Sequence, residues 1–330
     1  MEKKFILMIS NLSISVIVPT YNRADIIVRC LDSLVTQDYH PDDFEIIVVD
    51  NNSSDNTREV VQKYIETYPG ISIQYILESR QGLVYARHAG AKLAKYEILS
   101  FTDDDGILSP IWLKEVARVF SMNSEVAAVA GKILIRWDMP PPEWVILYEG
   151  LLGRLDYGEE IIIKKGLYIN GGNFNIKKNV LNEVGGFNPD QIGDWLIGDG
   201  ESGLCRKLHE KGYLIGWAPA ALMEHYQVVS KNATLKDIKR RYVNNGRCVP
   251  YKIFAIDQKG FVALMVNLIY VSWRIAKECL RYLYNVFRKN KLGEYDVIFN
   301  IAFYSCQFPY TFRLLTDKDF REMLLKKDWL

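Results

Sequence analysis

The sequence has no closely spaced cysteine pair, a net charge near zero and no long apolar run, and each of these absences argues against a class of protein. Its 330 residues include five cysteines, none in a CxxC pair, so we expect neither a disulfide framework nor a zinc site, and favour a reducing, cytoplasmic location. The formal net charge of +1 argues against a nucleic-acid partner, which usually selects a strongly basic surface. The first eleven residues hold an apolar run of five, below the roughly 7–15 residues of a signal-peptide core, so no export signal is expected.

Glycine-rich phosphate-binding motifs are absent where a nucleotide-binding fold would carry them. No GxGxxG follows the first apolar run after residue 12, and GxxxxGK[ST] does not occur, which removes the dinucleotide fingerprint and the P-loop. A nucleotide would have to be held by side chains and a metal ion instead.

The first hundred residues alternate between short apolar runs and amphipathic segments. The apolar runs predict strands at 13–19, 44–50, 72–77 and 96–102, with helices between them. This rhythm predicts an α/β fold with a mostly parallel sheet flanked by helices. Because right-handed crossovers place the loops after parallel strands at one edge, the segments 20–23, 50–55 and 103–105 should converge on a ligand site.

Three consecutive carboxylates close the fourth predicted strand. Asp103, Asp104 and Asp105 follow an apolar run and precede Gly106. Like charges at a sheet edge repel one another unless a cation lies between them, and Mg²⁺ often binds one or two protein carboxylates together with phosphate oxygens. A solvated acidic turn is the alternative, because Asp-Gly is common in turns.

Several short motifs then occur in one order along the chain, namely Val16-Ile-Val-Pro-Thr-Tyr-Asn22, Ile47-Val-Val-Asp50-Asn-Asn-Ser-Ser-Asp55, Gly82 with Ala86-Arg87, Phe101-Thr-Asp-Asp-Asp105, Asn170-Gly-Gly-Asn-Phe174, Gly185-Gly-Phe187, Gly198-Asp-Gly-Glu201 and His225. Together they resemble the family 2 glycosyltransferases of the GT-A fold, over residues 13–226. The resemblance implies metal-dependent, inverting transfer of a sugar from a nucleoside diphosphate to an acceptor hydroxyl, in polysaccharide or glycolipid synthesis. It favours a UDP-sugar as the donor and a glycan or lipid-linked acceptor.

The resemblance also assigns nucleotide-binding roles at the sheet edge. It implies that Pro19, Thr20, Tyr21 and Arg23 line the nucleotide pocket, and that Asp50 accepts a hydrogen bond from the base. Capping of the following turn is the alternative role for Asp50.

The implied donor site continues toward the diphosphate and its cation. Arg87 would reach the diphosphate, unless it is a plain surface arginine. Asp103 and Asp104 would contact the nucleotide sugar, with Asp103 facing the ribose or a metal-bound water. Asp105 and His225, with Asp103 beside them, would hold a divalent cation, Mn²⁺ or Mg²⁺, and a structural role is the alternative for His225.

A second group of residues would face the donor sugar and the acceptor. The resemblance places Gly171, Gly172 and Asn173 there, where a simple turn is the alternative. It also implies a catalytic base at the start of a later helix, usually within a Glu-Asp pair. This chain departs from that pattern, so we assign Glu201 as the base and Asp199 as a supporting acid, two roles that could be exchanged. Acids at a helix N-terminus are also stabilising by themselves, by about 0.3–1 kcal/mol.

Two other functions compete with sugar transfer. A nucleotidyltransferase also holds a metal–nucleotide on a parallel sheet, but a glycine- and lysine-rich loop would be expected after its first strand, where this chain has Pro19-Thr-Tyr-Asn-Arg23. A catalytically silent nucleotide-sugar-binding module is the other competitor, and the departure at Asp199 and Glu201 is its best support.

We predict a catalytic domain over residues 1–228 and a separate helical region over residues 229–330. An apolar run at 261–273 has 13 residues, fewer than the roughly 20 that span a bilayer. Cations and aromatic residues interleave after it, a mixture that suits an interfacial helix on an anionic membrane surface. We therefore expect peripheral contact with the cytoplasmic membrane face, with packing on the sheet or a homodimer as the alternatives.

Overall fold

A mixed β-sheet lies at the centre of the structure, a computed structural model that describes residues 12–189, 191–192, 195–196 and 198–326. The first eleven residues, on which the expected absence of an export signal depends, lie outside that description. The strands are β1 Ile14–Thr20, β2 Phe44–Asp50, β3 Ser72–Leu77, β4 Ile98–Thr102, β5 Gly106–Leu108, β6 Val126–Trp137, β7 Ile162–Lys164, β8 Asn173–Lys177, β9 Gln191–Ile192, β10 Trp195–Leu196 and β11 Leu214–Gln227.

Helices cover both faces of the sheet and form the whole of the described tail. They are α1 Ala24–Val35, α2 Thr57–Thr67, α3 Leu83–Leu93, α4 Trp112–Met122, α5 Glu143–Ile146, α6 Lys178–Glu183, α7 Gly200–Glu210, α8 Val229–Asn232, α9 Leu235–Tyr251, α10 Gly260–Phe287, α11 Lys291–Ser305, α12 Gln307–Thr316 and α13 Lys318–Leu324.

The strand order is β3-β2-β1-β4-β8-β6-β11-β5, with β7 paired to β11. The strands β3, β2, β1 and β4 are parallel, as their rhythm predicts. Beyond β4 the sheet is mixed, because β8 runs antiparallel to both β4 and β6 while β6 and β11 are parallel.

Side chains of β1 alternate between two cores, one on each face of the sheet. Val16 and Val18 pack with α1 and α4, whereas Ile17 packs on the other face with α3. Every residue of β1, β2 and β4 is buried, as is usual for parallel strands covered on both faces. The carboxyl ends of these strands therefore have fixed positions at one edge.

Two long elements pass through residues that often end a strand or an apolar run. The strand β11 runs from Leu214 to Gln227 through a register shift between Ala218 and Met223, where Pro219 is tolerated because a bulge needs no ladder hydrogen bond. The apolar run at 261–273 belongs to the 28-residue helix α10, which does not end at Arg274. All described elements after β11 are helical.

Candidate active site

Sheet register brings distant loops together at the carboxyl edge. The strand β1 lies between β2 and β4, so the loop after Thr20 adjoins the acids after Thr102. The strand β11 pairs with β5 so that His225 lies opposite Gly106, and the Tyr226 amide donates to the Asp105 carbonyl at 2.8 Å. Strand pairing therefore places Thr20, Asp105 and His225 close to one another.

A first cavity of about 520 Å³ opens at this edge. Eight predicted site residues line it: Pro19, Thr20, Tyr21, Arg23, Asp103, Asp104, Asp105 and His225. The other lining residues were given no site role from the sequence. They come from the loop after β2, the loop before α3, α3 itself, the end of β11, α8 and α9: Asn51, Gln81, Gly82, Leu83, Ala86, Gln227, Asn232, Arg240 and Arg241.

The middle acid of the cluster is held by protein groups. Asp104 accepts hydrogen bonds from the Thr20 hydroxyl at 2.7 Å and from Arg23 Nη1 at 2.9 Å. Burial raises the pKa of Asp104 to about 7. The nearby Asp105 carboxylate adds to this rise, and the Arg23 guanidinium opposes it. Arg23 also donates to Asp105 Oδ2 at 2.8 Å, so it orders the cluster from one side.

Asp105 and His225 lie close enough to bind one cation together. His225 Nδ1 donates to the Leu152 carbonyl at 2.8 Å, so in a neutral ring Nε2 carries a lone pair, and it lies 3.0 Å from Asp105 Oδ1. Apart from His225, that buried oxygen has no partner within the described part of the chain. Two electron-pair donors so close need a proton or a metal ion between them, and a ring fixed through its other nitrogen is the usual arrangement of a metal-binding histidine.

The third member of this group is Asp103. One ligand atom from each of Asp103, Asp105 and His225 lies within 4.8 Å of the others. In the metal-free arrangement burial opposes ionisation of Asp105, but His225 and Arg23 outweigh it and lower the pKa of Asp105. Burial alone would lower the pKa of His225, but the Asp105 carboxylate outweighs that effect, and the pKa of His225 is raised. Two carboxylates and one imidazole are a donor set that fits Mn²⁺ or Mg²⁺.

Arg87 is buried and is not the surface arginine that the sequence allowed. Its Nη2 donates to the Gly171 carbonyl at 3.2 Å and lies 3.5 Å from Asp103 Oδ1. Its Nη1 lies 3.8 Å from Glu201 Oε2, and the guanidinium stacks 5.0 Å from the ring centroid of Phe187. Arg87 therefore joins the acid cluster to the predicted base, and it does not line the first cavity.

A second cavity of about 770 Å³ lies on the other side of this arginine. Both Asp199 and Glu201 line it, Asp199 preceding α7 and Glu201 in its first turn. The Asp199 carboxylate is bound by Asn188 Nδ2 at 2.6 Å and by Arg206 Nη2 at 3.2 Å. The side chain of Glu201 is 28% exposed and meets Arg87 only at 3.8 Å, so its carboxylate is less engaged by protein groups than that of Asp199.

The loop before β8 approaches both acidic groups through glycines. A Cβ on Gly171 would stand 2.5 Å from Arg87 Nη2 and 3.0 Å from Glu201 Oε2, and a Cβ on Gly172 would stand 2.8 Å from Asp103 Oδ2. The backbone therefore passes close to Arg87, Glu201 and Asp103 at Gly171 and Gly172.

We expect Gly171→Ala to destabilise the protein by about 1–3 kcal/mol, because the methyl group would push a buried arginine away from its partners. Urea denaturation measures the free energy of unfolding. The matched control is Gly70→Ala, where nothing lies within 4 Å of the added carbon. Equal unfolding free energies for the two variants would contradict the close packing around Arg87.

Asn173 and Asp50 were predicted to contact the substrates, but they line neither cavity. Asn173 is the first residue of β8 and is fully buried. Its amide accepts from Trp112 Nε1 and donates to the carbonyls of Lys132 and Ala221, so the prediction that it faces the sugar is wrong.

Asp50 is also removed from the cavity lining. It is buried, and its carboxylate accepts from the Ser53 amide at 2.9 Å and from the Tyr75 hydroxyl at 2.7 Å. The structure thus shows Asp50 in the turn contact that the sequence held as the alternative, and its contact with a base stays a prediction. The neighbouring Asn51 lines the cavity instead.

Arg241 is the most informative residue that sequence reasoning missed, because it lines both cavities. It lies on α9, its Nη1 donates to the Leu151 carbonyl at 2.8 Å, and its buried Nε has no acceptor among the described residues. Burial and the adjacent Arg240 lower the pKa of Arg241. The Arg240-Arg241 pair within a basic segment was the available signal, but only tertiary packing places it opposite the acids.

Comparison with known proteins agrees with this geometry. Residues 15–187 match the family model described as Glycosyl transferase family 2. Glycosyltransferase AglE of Haloferax volcanii is 33% identical over 36% of this chain and 39% of its own length. Glucosyl-dolichyl phosphate glucuronosyltransferase of the same organism is 28% identical over 61% of this chain and 64% of its own length. The chain thus spans less than two thirds of these relatives.

A solved structure shares the fold. Mannosyltransferase PcManGT from Pyrobaculum calidifontis, determined in complex with GDP-Man and Mn²⁺, aligns with a TM-score of 0.60 over 92% of this chain and 87% of its own, at 20% identity. The mixed sheet flanked by helices is accordingly the GT-A fold, with a helical region added at the C-terminal end. Because the family model covers more than half of the 330 residues, this chain belongs to glycosyl transferase family 2.

Proposed function

We propose that this protein transfers a sugar from a nucleoside diphosphate, held in the first cavity through a divalent cation, to an acceptor hydroxyl bound in the second cavity. The observation that carries the proposal is the convergence of Asp103, Asp105 and His225, whose ligand atoms lie within 4.8 Å of one another, beside a cavity large enough for a nucleotide. Asp103, Asp105 and His225 would hold Mn²⁺ or Mg²⁺. When bound, such a cation stabilises negative charge that develops on the diphosphate leaving group.

Glu201 is the better candidate for the catalytic base. An acceptor hydroxyl is a weak nucleophile unless a carboxylate takes its proton during attack. Glu201 faces the second cavity and has one distant cationic neighbour, whereas both oxygens of Asp199 are engaged by Asn188 and Arg206. A single displacement, with the acceptor attacking from the side opposite the diphosphate, would invert the anomeric centre.

The cations of α9 are suited to the diphosphate. Arg240 and Arg241 line the first cavity together with the three aspartates. A diphosphate brings at least two negative charges, and charge-assisted hydrogen bonds from guanidinium groups to phosphate are among the stronger ones in proteins. A family 2 core would in this way complete its donor site with a helix from the C-terminal region.

We expect Arg241→Ala to weaken nucleoside diphosphate binding about 10- to 100-fold in the presence of Mn²⁺, because a hydrogen bond to a charged group contributes about 1.5–3 kcal/mol. Isothermal titration calorimetry measures the dissociation constant. The control is Lys239→Ala, an exposed position on the same helix that lines neither cavity. Wild-type affinity in Arg241→Ala would remove α9 from the donor site.

The donor and acceptor are proposed at the level of chemical class. A UDP-sugar is the favoured donor, and a GDP-sugar is the other nucleotide to test, since PcManGT was determined with GDP-Man. A lipid-linked saccharide is the favoured acceptor, with a soluble glycan as the other, since one relative is named for a glucosyl-dolichyl phosphate acceptor. A cytoplasmic location near a membrane would suit both substrates, in polysaccharide or glycolipid synthesis.

A donor-turnover assay tests the proposed function. The purified protein is incubated with a panel of nucleotide sugars and Mn²⁺, and released nucleoside diphosphate is measured with and without EDTA. We expect release from at least one donor, slow without acceptor and abolished by EDTA. A protein that binds donors without any release would be the silent binding module that the sequence left open.

A further inference from the structure

One face of α10 is apolar and exposed along the whole helix. At 1.5 Å per residue the 28 residues extend about 42 Å, and 3.6 residues per turn place a continuous set of large side chains on one side. We call this set the apolar stripe, and exposure ranges from 39% at Met265 to 86% at Phe287 among its members Val262, Met265, Val266, Ile269, Trp273, Leu280, Leu283, Tyr284 and Phe287.

The opposite face of the same helix is buried in the protein. Leu264, Val271, Glu278 and Asn285 recur every seventh residue and are all buried. Arg281 joins this helix to α11 through Asp296 at 2.5 Å. The orientation of α10 is therefore fixed by packing and ion pairing, which leaves the apolar stripe facing outward.

Charge is arranged along one flank of the stripe and is absent from its centre. Lys277 and Arg288 lie on one side of it by helical spacing, together with Arg281, which is already ion-paired with Asp296 of α11 and with the buried Glu278. On the other flank Leu268 and residues of α12 form an apolar groove of about 340 Å³, lined also by Phe308, Pro309, Phe312 and Leu315. The surface as a whole is apolar with a basic border.

This pattern does not favour a helix that crosses the bilayer. By length and composition α10 is the single helix among the described residues that could span a membrane, and only 11% of its most apolar window is buried. A span of about 20 residues centred on α10 would contain Arg274, Lys277, Glu278 and Arg281, and each charged side chain near the bilayer centre costs at least about 2.5 kcal/mol. A helix with one apolar face and a basic border fits the plane of the interface instead.

We propose that α10 docks this protein in the plane of an anionic membrane surface, with the apolar stripe below the headgroups and the basic flank against lipid phosphates. Trp273 and Tyr284 suit that depth, because their rings are apolar and their polar atoms remain near water. The basic flank gives the charge complementarity that a second copy of the same basic surface would lack.

Docking of this kind would bring the second cavity close to the bilayer. Lys252 and Ile256 line that cavity, and the chain from Ile256 to Gly260 at the start of α10 can extend no more than about 14 Å. A lipid-linked acceptor could then be reached without leaving the membrane. This consequence, unlike the docking itself, depends on the proposed function.

Vesicle sedimentation of the full chain tests the docking without using activity. Phosphatidylcholine vesicles are compared with vesicles that also contain phosphatidylglycerol. We expect binding to the anionic vesicles, weakened by salt, and a loss of about tenfold or more in the double variant Ile269→Glu with Leu280→Glu, because two charges would have to enter the apolar layer. Lys277→Glu with Arg288→Glu should reduce binding to anionic vesicles by a similar factor.

The matched control carries two glutamates at exposed apolar positions far from α10, Leu93→Glu with Met122→Glu, which are 56% and 57% exposed. It should bind vesicles as the wild type does. Wild-type protein that stays in the supernatant with both lipids, or undiminished binding by the Ile269/Leu280 variant, would overturn the proposal. A dimer in light scattering that the same variant dissociates, without vesicle binding, would assign the stripe to a second copy. Retention of the protein in cell membranes after alkaline carbonate extraction would overturn the in-plane arrangement.

Discussion

Replacing Glu201 with glutamine is expected to lower the rate of sugar transfer by about a hundredfold or more, while nucleotide binding stays unchanged. Glutamine keeps the size of the side chain but cannot take a proton from the acceptor, and general base catalysis typically contributes 10²- to 10⁴-fold. The measurement is kcat for transfer to acceptor, with the dissociation constant of the nucleoside diphosphate determined in parallel. Unchanged turnover in Glu201→Gln would show that the base lies elsewhere.

Two further variants separate catalysis from stability on the same helix. Glu210→Gln is the matched control, because Glu210 is at the far end of α7, 62% exposed and paired only with Arg206 at 3.3 Å. Asp199→Asn should act mainly on stability, by about 1–3 kcal/mol, since it weakens a largely buried pair with Arg206. The opposite outcome, a large loss of kcat in Asp199→Asn and a small one in Glu201→Gln, would exchange the two roles.

Asp105→Asn is expected to abolish metal-dependent turnover almost completely. Loss of a residue that only orients a metal ligand commonly costs 10- to 100-fold in metal affinity or activity, and loss of a direct ligand should cost about a hundredfold or more. The readout is donor turnover as a function of Mn²⁺ concentration. Asp42→Asn, at a side chain that is 92% exposed and distant from the cavity lining, controls for the removal of one negative charge.

A shift of the Mn²⁺ dependence to higher concentration would identify Asp105 as a ligand. Loss of turnover with an unchanged Mn²⁺ dependence would instead assign Asp105 a role in ordering Arg23, to which it is also bound at 2.8 Å. Melting temperatures of both variants should be compared, because Asp105 lies between Arg23 and His225.

The parts of the site that depend on parallel strand ends were predictable from sequence. Thr20, Arg23 and the three aspartates each follow an apolar run, and parallel strands in a right-handed crossover must bring such positions to one edge. His225 was less accessible to this reasoning, because Ala218-Pro219 resembles the end of a strand, whereas β11 passes through a bulge there and continues. Its assignment depended on the family resemblance.

The residues that were misplaced or missed depend on packing between distant segments. Asn173 stands in a glycine-rich segment typical of a loop, but its buried amide joins β8 to Trp112 and Ala221, which no local pattern encodes. Arg241 comes more than a hundred residues after the acids and reaches them only because α9 packs over both cavities. The helix α10 continues beyond the apolar run at 261–273, because the cations that end the run lie on a flank of the helix.

The most direct test of the account is calorimetric titration of the wild-type protein with UDP and GDP, each with and without Mn²⁺. The central claim is that Asp103, Asp105 and His225 hold a cation through which the diphosphate binds. It predicts that one nucleotide binds at least about tenfold more tightly when Mn²⁺ is present, since metal and diphosphate stabilise each other at one site. Equal affinity with and without Mn²⁺, or no binding of either nucleotide, would contradict it.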